Sequence, residues 1–276
     1  MAKLIQELDN IKLAIFDLDG VIYRGNNLIE GTDQVINHLK DLSIKVVYNS
    51  NNSTATRKNY VDRLKGFGFE CSIEDFYTSA SIASTEITKL KPNSKVYIIG
   101  EFGLQEELAA RGHKIITDES RCLEVDYVVV GLDRNFTYQK LAIAQRCLLE
   151  GKAKFYATNV DATLPAPTGL LPGAGVMVNA VQTCTNIKPE KVFGKPNPEG
   201  IELILRERNV VKEQAVIFGD RLDTDIVAGN RANIFTVMVL TGVTTEEMIS
   251  NLKKDTNVNS NLIPGLVLNS LKEIFI

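Results

Sequence analysis

The chain alternates short apolar runs with longer stretches in which apolar residues recur at helical spacing. The runs that predict buried strands are residues 13–16, 45–48, 96–100, 114–117, 125–131, 154–159, 215–218 and 234–240. The helical stretches between them are at about 32–42, 54–66, 101–111, 137–150, 175–185 and 198–208. Continuous apolar strands that alternate with helices are typical of parallel sheets. The pattern therefore predicts an α/β fold.

The strand and helix alternation begins afresh near residue 79 and continues to about 188. A stretch of this length is sufficient for a hydrophobic core of its own. We therefore predict two domains. The first is a discontinuous core domain of residues 1–79 and 189–276, and the second is an α/β domain of residues 80–188 inserted into it.

Two acidic residues follow the first apolar run. Asp17 and Asp19 come directly after residues 13–16, and Gly20 closes the segment. Like charges this close require a compensating cation or hydrogen bonds, and a hard cation fits two carboxylates. A polar turn that ends a surface strand is the alternative. An EF-hand calcium loop that began at Asp17 would need Glu at its twelfth position, where this chain has Leu28.

Small polar residues follow the second run. Ser50, Asn51 and Asn52 lie between a strand and a helix, where free backbone N–H groups at the helix start favour an anion. Simple capping of the helix by Ser53 or Thr54 is the alternative explanation.

Further charged residues occur late in the chain. Lys195 stands between a glycine and a proline, and an acidic cluster at 220–225 follows the strand 215–218. Asp17 and Asp220 could supply oxygens to Mg²⁺, with a backbone carbonyl, water and a substrate phosphate completing the shell. Lys195 and the metal would then offset the repulsion between a carboxylate and a phosphate. Asp223 is interpreted mainly as a helix N-cap.

Composition excludes several classes of partner. The chain has 276 residues, of which 31 are Lys or Arg and 34 are Asp or Glu, giving a net charge of −3. No basic surface is expected for nucleic acid, and no apolar segment is long enough to cross a membrane. Four scattered cysteines without a Cys-x-x-Cys pair indicate reduced thiols rather than a zinc site. We expect a soluble, cytoplasmic protein.

Four segments in order, "IFDLDG", "YNSNNS", "GKP" and "GDRLDTD", resemble the motifs of the haloacid dehalogenase superfamily of phosphatases. The long insert and its segment "TNVDATLPAPTGLLPGAG" resemble the 4-nitrophenylphosphatase and phosphoglycolate phosphatase branch, also called NagD-like. The resemblance covers nearly the whole chain. It implies a Rossmann-like, doubly wound parallel-sheet core with the insert as a cap domain over the site.

The resemblance also implies roles for the acidic residues. Asp17 would be the nucleophile that forms an aspartyl-phosphate, and Asp19 would be the general acid and then the general base. Asp17, Asp220 and the backbone carbonyl of Asp19 would bind Mg²⁺. Asp225 would orient the groups around the metal.

Substrate contacts are implied in the same way. Ser50, Asn51, Asn52 and Lys195 would hold the phosphate, with Lys195 also neutralising it during catalysis. One departure is that Asn49 stands before the motif serine, where the family usually has an apolar residue. Leu164, in the loop 159–165, is our candidate for substrate specificity. A Gly/Pro-ordered turn that only packs the cap is the alternative for that loop.

The expected activity is Mg²⁺-dependent hydrolysis of a small phosphomonoester such as 4-nitrophenyl phosphate or phosphoglycolate. Pyridoxal phosphate, sugar phosphates and nucleoside monophosphates stay open as substrates. The alternatives are a regulatory phospho-acceptor domain, a catalytically silent domain and a phosphomutase. The resemblance further suggests a homodimer that forms through the cap.

Overall fold

The computed structural model describes residues 3–166, 169–254 and 257–276. The strands are β1 (Leu13–Phe16), β2 (Tyr23–Arg24), β3 (Asn27–Leu28), β4 (Lys45–Ser50), β5 (Phe76–Thr78), β6 (Lys95–Ile99), β7 (Lys114–Ile115), β8 (Tyr127–Val130), β9 (Lys154–Ala157), β10 (Thr163–Ala166), β11 (Gly169–Pro172), β12 (Lys191–Val192), β13 (Ala215–Gly219), β14 (Phe235–Val239) and β15 (Leu266–Leu268). The α-helices are α1 (Thr32–Asp41), α2 (Arg57–Gly66), α3 (Ser79–Leu90), α4 (Phe102–Ala110), α5 (Tyr138–Leu149), α6 (Ala174–Thr185), α7 (Glu199–Arg208), α8 (Val227–Arg231) and α9 (Glu246–Lys254).

The chain forms two compact units. The first unit comprises residues up to 50, residues 61–77 and residues from 195 onward, and the second comprises residues 51–60 and 78–194. Residues 51–60 thus group with the inserted part of the chain. The predicted roles of the two units, catalytic core and cap, stay predictions.

The first unit contains a six-stranded sheet in the order β15-β14-β13-β1-β4-β5. The pairs β15·β14, β14·β13, β13·β1 and β1·β4 are parallel. Strands β4 and β5 follow in order on one side of β1, and strands β13, β14 and β15 follow in order on its other side. The carboxyl ends of β1 and β13 therefore flank the point where the strand order reverses, which is where open α/β sheets bind their ligands.

The contact between β1 and β13 is the centre of the first unit's core. Phe16 pairs with Phe218 in the strand register, and their rings stack with centroids 4.6 Å apart and planes 7° apart. Every residue of both strands is buried, as expected for parallel strands covered on both faces. This packing fixes the strand ends, and thus the acidic residues that follow them.

The second unit has its own five-stranded parallel sheet in the order β12-β9-β8-β6-β7. Helices α5 and α6 pack on it and contribute Cys147, Val178 and Val181 to a buried cluster with strand residues such as Val128 and Phe155. The α/β class predicted from the sequence is confirmed for both units.

Two elements differ from the sequence-based expectation. Helix α2 begins at Arg57 rather than near 54, because Thr56 and Asn59 exchange side-chain and backbone hydrogen bonds at its start. The loop 159–165, for which a Gly/Pro-ordered turn was the alternative, runs into strand β10, and β10 forms an antiparallel hairpin with β11 in which Leu164 pairs with Leu171. Residues 167 and 168 of the quoted "TNVDATLPAPTGLLPGAG" segment lie outside the described residues.

The predictions of reduced thiols and of no membrane span can be compared with the structure. All four cysteines are free thiols. Across the described part of the chain, no helix combines the length and the apolar character that crossing a membrane requires.

Gly229 in α8 provides a test of the packing between helix and sheet. A Cβ at this position would lie 2.5 Å from Cγ2 of Ile217 and 2.4 Å from Cγ2 of Thr236. Both methyl groups belong to β-branched side chains, which adjust poorly. We expect Gly229→Ala to lower the free energy of unfolding by about 1–3 kcal/mol, measured by urea denaturation.

Gly66 at the end of α2 is the matched control, since a Cβ there meets no atom within 4 Å. We expect Gly66→Ala to leave stability unchanged or to raise it by less than about 1 kcal/mol. Equal losses in the two variants would contradict the packing explanation.

Candidate active site

The first acidic pair lies where β1 ends. The Asp17 N–H donates to the Phe218 carbonyl (2.9 Å), so the ladder between β1 and β13 continues to this residue. The Asp17 side chain is 14% exposed, and the Asp19 residue is exposed. Gly20 follows with φ +87°, a conformation that L-residues rarely adopt. The chain thus turns immediately after placing both carboxyl groups.

Lys195 binds residues from three strand ends of the first unit's sheet. Its side chain is 4% exposed, and Nζ donates to Asp17 Oδ1 (2.5 Å), Asp225 Oδ1 (2.6 Å) and the Asn49 carbonyl (2.9 Å). These three acceptors match the three N–H donors of an ammonium group. Lys195 is therefore fixed in position and in charge by residues that follow β1, end β4 and follow β13.

Asp225 reaches Lys195 from a π-helical turn, Leu222–Ile226, that precedes α8. Such turns occur often at functional sites. The Asp225 carboxylate also accepts the Arg221 N–H (3.1 Å), and a Cβ on Gly219 would lie only 2.1 Å from Asp225 Cβ. A glycine at the end of β13 is therefore required for Asp225 to approach the strand this closely.

Asp220, the first acid after β13, is held by the loop that follows β14. The Val243 N–H donates to Asp220 Oδ2 (2.7 Å), and the Thr244 N–H donates to the Asp220 carbonyl (3.0 Å). A Cβ on Gly20 or on Gly242 would lie 2.5 Å or 1.9 Å, respectively, from Asp220 Oδ2. The sequence analysis did not include residues 241–244 in the site. The available signal was a threonine and a glycine after another buried strand.

Burial and crowding of charge shift the pKa values of these groups. Burial raises the pKa of Asp17 well above its ordinary value, and Asp225 and Asp220 add to this while Lys195 opposes it. Burial and the nearby Asp225 raise the pKa of Asp220 to about 7. Burial alone would lower the pKa of Lys195, but Asp17 and Asp225 together raise it above its ordinary value. The cluster therefore carries more negative charge than one lysine balances.

Asp19 has different surroundings from Asp17. Partial desolvation raises the pKa of its carboxyl, while the positive charges of Arg63 and Arg24 lower it. Arg63 stacks over the Tyr23 ring at 3.7 Å and donates to the Gly25 carbonyl, which fixes it beside the hairpin of β2 and β3. The sequence analysis missed both arginines, because nothing local to 17–20 indicates them.

Ser50 is half-buried at the end of β4, which pairs in parallel with β1 so that Phe16 lies opposite Tyr48. Ser50 therefore lies at the same edge of the sheet as Asp17. Asn49, the departure from the family pattern, is buried. Its Nδ2 donates to the Tyr77 carbonyl (3.1 Å) of β5, and its own carbonyl accepts from Lys195.

The remaining candidates lie in the second unit. Asn51 is half-buried and Asn52 is exposed, and the Asn52 side-chain oxygen accepts from the N–H and hydroxyl groups of Thr54 (2.8 Å each). Leu164 is half-buried in β10. The structure thus brings Asp17, Lys195, Asp220 and Asp225 into one cluster. The proposed roles of the candidates in the second unit stay predictions.

The N-cap interpretation of Asp223 is wrong. The residue lies inside the π-helical turn, and its carboxylate pairs with the Arg221 guanidinium (3.1 Å) while its side chain is 67% exposed. The turn begins after Arg221 without a side-chain cap, and the Arg221 N–H is bound to the Asp225 carboxylate.

The donor set can be compared with the needs of a metal ion. In residues 3–166, 169–254 and 257–276, no three His, Cys, Asp or Glu side chains form a group that could hold a metal. Mg²⁺, however, is usually held by one or two carboxylates and keeps several waters. Asp17 and Asp220 are two such carboxylates, and Lys195 does not balance all of the negative charge of their cluster. The residues present therefore fit Mg²⁺.

Two protein-family models match the chain. One is described as haloacid dehalogenase-like hydrolase and matches residues 14–114, and a second, HAD-hydrolase-like, matches residues 192–274. The first match includes Asp17, Asp19 and Ser50, and the second includes Lys195 and the acidic cluster at 220–225.

Similar proteins cover nearly the whole chain. An acid sugar phosphatase from Staphylococcus epidermidis is 38% identical over 86% of this chain and 89% of its own length. The structure of a p-nitrophenyl phosphatase from Archaeoglobus fulgidus superposes with a TM-score of 0.87 at 34% identity, covering 95% of this chain and 97% of the other. The structure of a glycerol phosphate phosphatase from Mycobacterium tuberculosis, in complex with magnesium, superposes with a TM-score of 0.86 at 30% identity. The match covers 99% of this chain and 78% of the other. The chain therefore belongs to the haloacid dehalogenase-like hydrolases.

Proposed function

We propose that this protein is a Mg²⁺-dependent phosphatase that hydrolyses small phosphomonoesters through an aspartyl-phosphate on Asp17. The observation that carries the proposal is the cluster in which Lys195 bridges Asp17 and Asp225 beside Asp220. Relatives named acid sugar phosphatase, p-nitrophenyl phosphatase and glycerol phosphate phosphatase support this class of substrate. A sugar phosphate is the first natural class to test.

The first step is attack by an Asp17 carboxylate oxygen on phosphorus. The bond between phosphorus and the leaving-group oxygen breaks, and Asp19 gives its proton to that oxygen, so an alcohol departs. Lys195 favours the ionised form of Asp17 against the effect of burial and would offset the charge of the phosphoryl oxygens. The raised pKa of Asp19 supports its role as the proton donor.

The second step restores the enzyme. Asp19, now ionised, takes a proton from water, the water oxygen attacks phosphorus, and the bond to Asp17 breaks to release inorganic phosphate. Asp17, Asp220 and the Asp19 carbonyl would hold the metal, with Asp225 keeping Lys195 in place. When bound there, Mg²⁺ supplies positive charge that stabilises the transferring phosphoryl group.

Phosphate contacts are assigned to the end of β4 and the residues after it. Ser50, Asn51 and Asn52 would hold the non-bridging oxygens together with Lys195, and Leu164 would contact the leaving group. The second unit would act as the cap that supplies such substrate contacts. A cytoplasmic location and a homodimer through the cap are further parts of the proposal.

Asp17→Asn tests the proposed function. We expect the wild type to release phosphate steadily from 4-nitrophenyl phosphate with Mg²⁺, and we expect the variant to fall to background, because an amide oxygen is a poor nucleophile. The melting temperature should not fall, since the substitution is nearly isosteric. A wild type that stops after one phosphorylation would indicate a phospho-acceptor domain instead, and near-normal turnover in the variant would exclude the mechanism.

Asp19→Asn separates acid catalysis from binding. Because 4-nitrophenolate leaves without a proton, we expect Asp19→Asn to slow leaving-group release little with 4-nitrophenyl phosphate and about 10²–10⁴-fold with an alkyl phosphate. Single-turnover rates of leaving-group release, compared between variant and wild type, measure the difference, because they report the first step without the base catalysis of the second. Equal losses would remove the acid role from Asp19.

Lys195→Met tests the charge balance of the cluster. Removing the ammonium leaves Asp17 and Asp225 buried and unpaired, so we expect a loss of about 3–5 kcal/mol in the free energy of unfolding. The matched control is Lys272→Met, which breaks the exposed pair with Glu30 and should lower the stability far less. Adding Asp225→Asn to Lys195→Met should recover part of the loss. Similar losses for the two lysines in urea denaturation would contradict this account.

A further inference from the structure

Asn51 is held at two places by other residues of the second unit. Its carbonyl accepts hydrogen bonds from Ser79 Oγ (2.6 Å) and Asn159 Nδ2 (2.8 Å). Its side-chain Nδ2 donates to both carboxylate oxygens of Asp161, at 3.0 and 3.3 Å. Backbone and side chain of Asn51 are therefore both fixed.

Fixing the Asn51 carbonyl also fixes the next residue's N–H. The Asn51 C=O and the Asn52 N–H belong to one planar trans peptide, in which they point in opposite directions. The hydrogen bonds from Ser79 and Asn159 thus orient the backbone directly after Ser50. This backbone is the segment that the proposed function assigns to phosphate.

Asp161 is itself set rigidly. Its N–H donates to Asn159 Oδ1 (3.2 Å), and its carbonyl accepts the Gly175 N–H (2.9 Å) at the start of α6. A Cβ on Gly173 would lie 2.2 Å from the Asp161 carbonyl oxygen, so only glycine allows the chain to pass there. Asn159 is buried. The carboxylate of Asp161 therefore reaches Asn51 from a loop that has little freedom to move.

The charge of Asp161 is the unexpected feature. A carboxylate linked by one side chain to a phosphate-binding segment disfavours an anion, and the proposed mechanism gives Asp161 no step. An ionised acceptor, however, makes a stronger and more directional hydrogen bond than a neutral one. The stronger hydrogen bond explains a carboxylate at this position when its task is to hold Asn51 in place for phosphate binding.

We propose that Asp161 is a positioning residue, which holds Asn51 so that the backbone after Ser50 binds the phosphoryl group of the substrate. This inference rests on the proposed function. It adds to that function that a residue in the inserted part of the chain affects binding of the phosphate group rather than of the leaving group.

The test compares Asp161→Ala, Asp161→Asn, Asn51→Ala and the double variant Asn51→Ala/Asp161→Ala. For Asp161→Ala we expect KM for 4-nitrophenyl phosphate and Ki for inorganic phosphate to rise together by about tenfold, with a smaller change in kcat. Asp161→Asn keeps one acceptor oxygen and should lie between the wild type and Asp161→Ala. The double variant should bind phosphate no more weakly than Asn51→Ala alone, because Asp161 acts through Asn51.

Three results would overturn the proposal. The first is an unchanged Ki for phosphate in Asp161→Ala. The second is a Ki in the double variant that rises by the product of the two increases seen in the single variants. A change in KM that depends on the leaving group while Ki stays constant would assign Asp161 to leaving-group recognition instead.

Asp133→Asn is the matched control for stability. Asp133 is a buried aspartate of the same unit, and its carboxylate pairs with Lys140 (2.6 Å). We expect it to lower the melting temperature without changing Ki, whereas a rise in Ki equal to that of Asp161→Ala would show a general effect of destabilisation and contradict the proposal.

Calorimetric titration with inorganic phosphate and Mg²⁺ separates this inference from the proposed function. Weaker phosphate binding by Asp161→Ala supports the positioning role even if the wild type turns over no ester. A wild type that hydrolyses esters while Asp161→Ala binds phosphate normally contradicts the positioning role alone. A wild type that neither hydrolyses esters nor binds phosphate overturns both.

Discussion

The site in the first unit depends on how the fold accommodates three largely buried carboxylates, Asp17, Asp220 and Asp225, which follow two adjacent parallel strands. Lys195 resolves part of this problem, because one ammonium donates to Asp17, Asp225 and the Asn49 carbonyl at 2.5–2.9 Å. Lys195 can reach these acceptors only because the β1–β13 register, the π-helical turn and the absence of a side chain at Gly219 bring the groups together. Charge compensation thus depends on geometry that the packing of β1 against β13 provides.

The remaining negative charge gives the site its chemistry. Lys195 satisfies Asp17 and Asp225, while Asp220 keeps a pKa raised to about 7 by burial and by Asp225. Under the proposed function, Mg²⁺ would relieve this cost, and the site would then repel a phosphate less strongly. Asp19 lies outside the crowded cluster and under the influence of two arginines. The two aspartates of one motif therefore differ because their surroundings differ.

The sequence predicted the parts of this arrangement that depend on local pattern. Long apolar runs identified the buried strands, and polar residues after them identified Asp17, Lys195 and Asp220, because parallel strands place their carboxyl ends at one edge. Tertiary contacts decided the rest. The charge of Arg63, in α2, lowers the pKa of Asp19, and the loop at 241–244, which follows β14, donates a hydrogen bond to Asp220. No periodicity within either segment indicates these interactions. Asp223 was misassigned because it lies inside a π-helical turn in which Asp225, two residues after Asp223, accepts the Arg221 N–H.

Substrate choice has a different physical origin from the chemistry. The related proteins carry the names acid sugar phosphatase, p-nitrophenyl phosphatase and glycerol phosphate phosphatase, and two of them superpose with TM-scores of 0.86 and 0.87. Under the proposed function, the carboxylate cluster would bind the phosphoryl group that such substrates share. Discrimination would then come from residues that vary without disturbing the buried charges. The hairpin of β10 and β11 meets this condition, since its exposed Leu170 and Leu171 can change without leaving a buried charge unpaired.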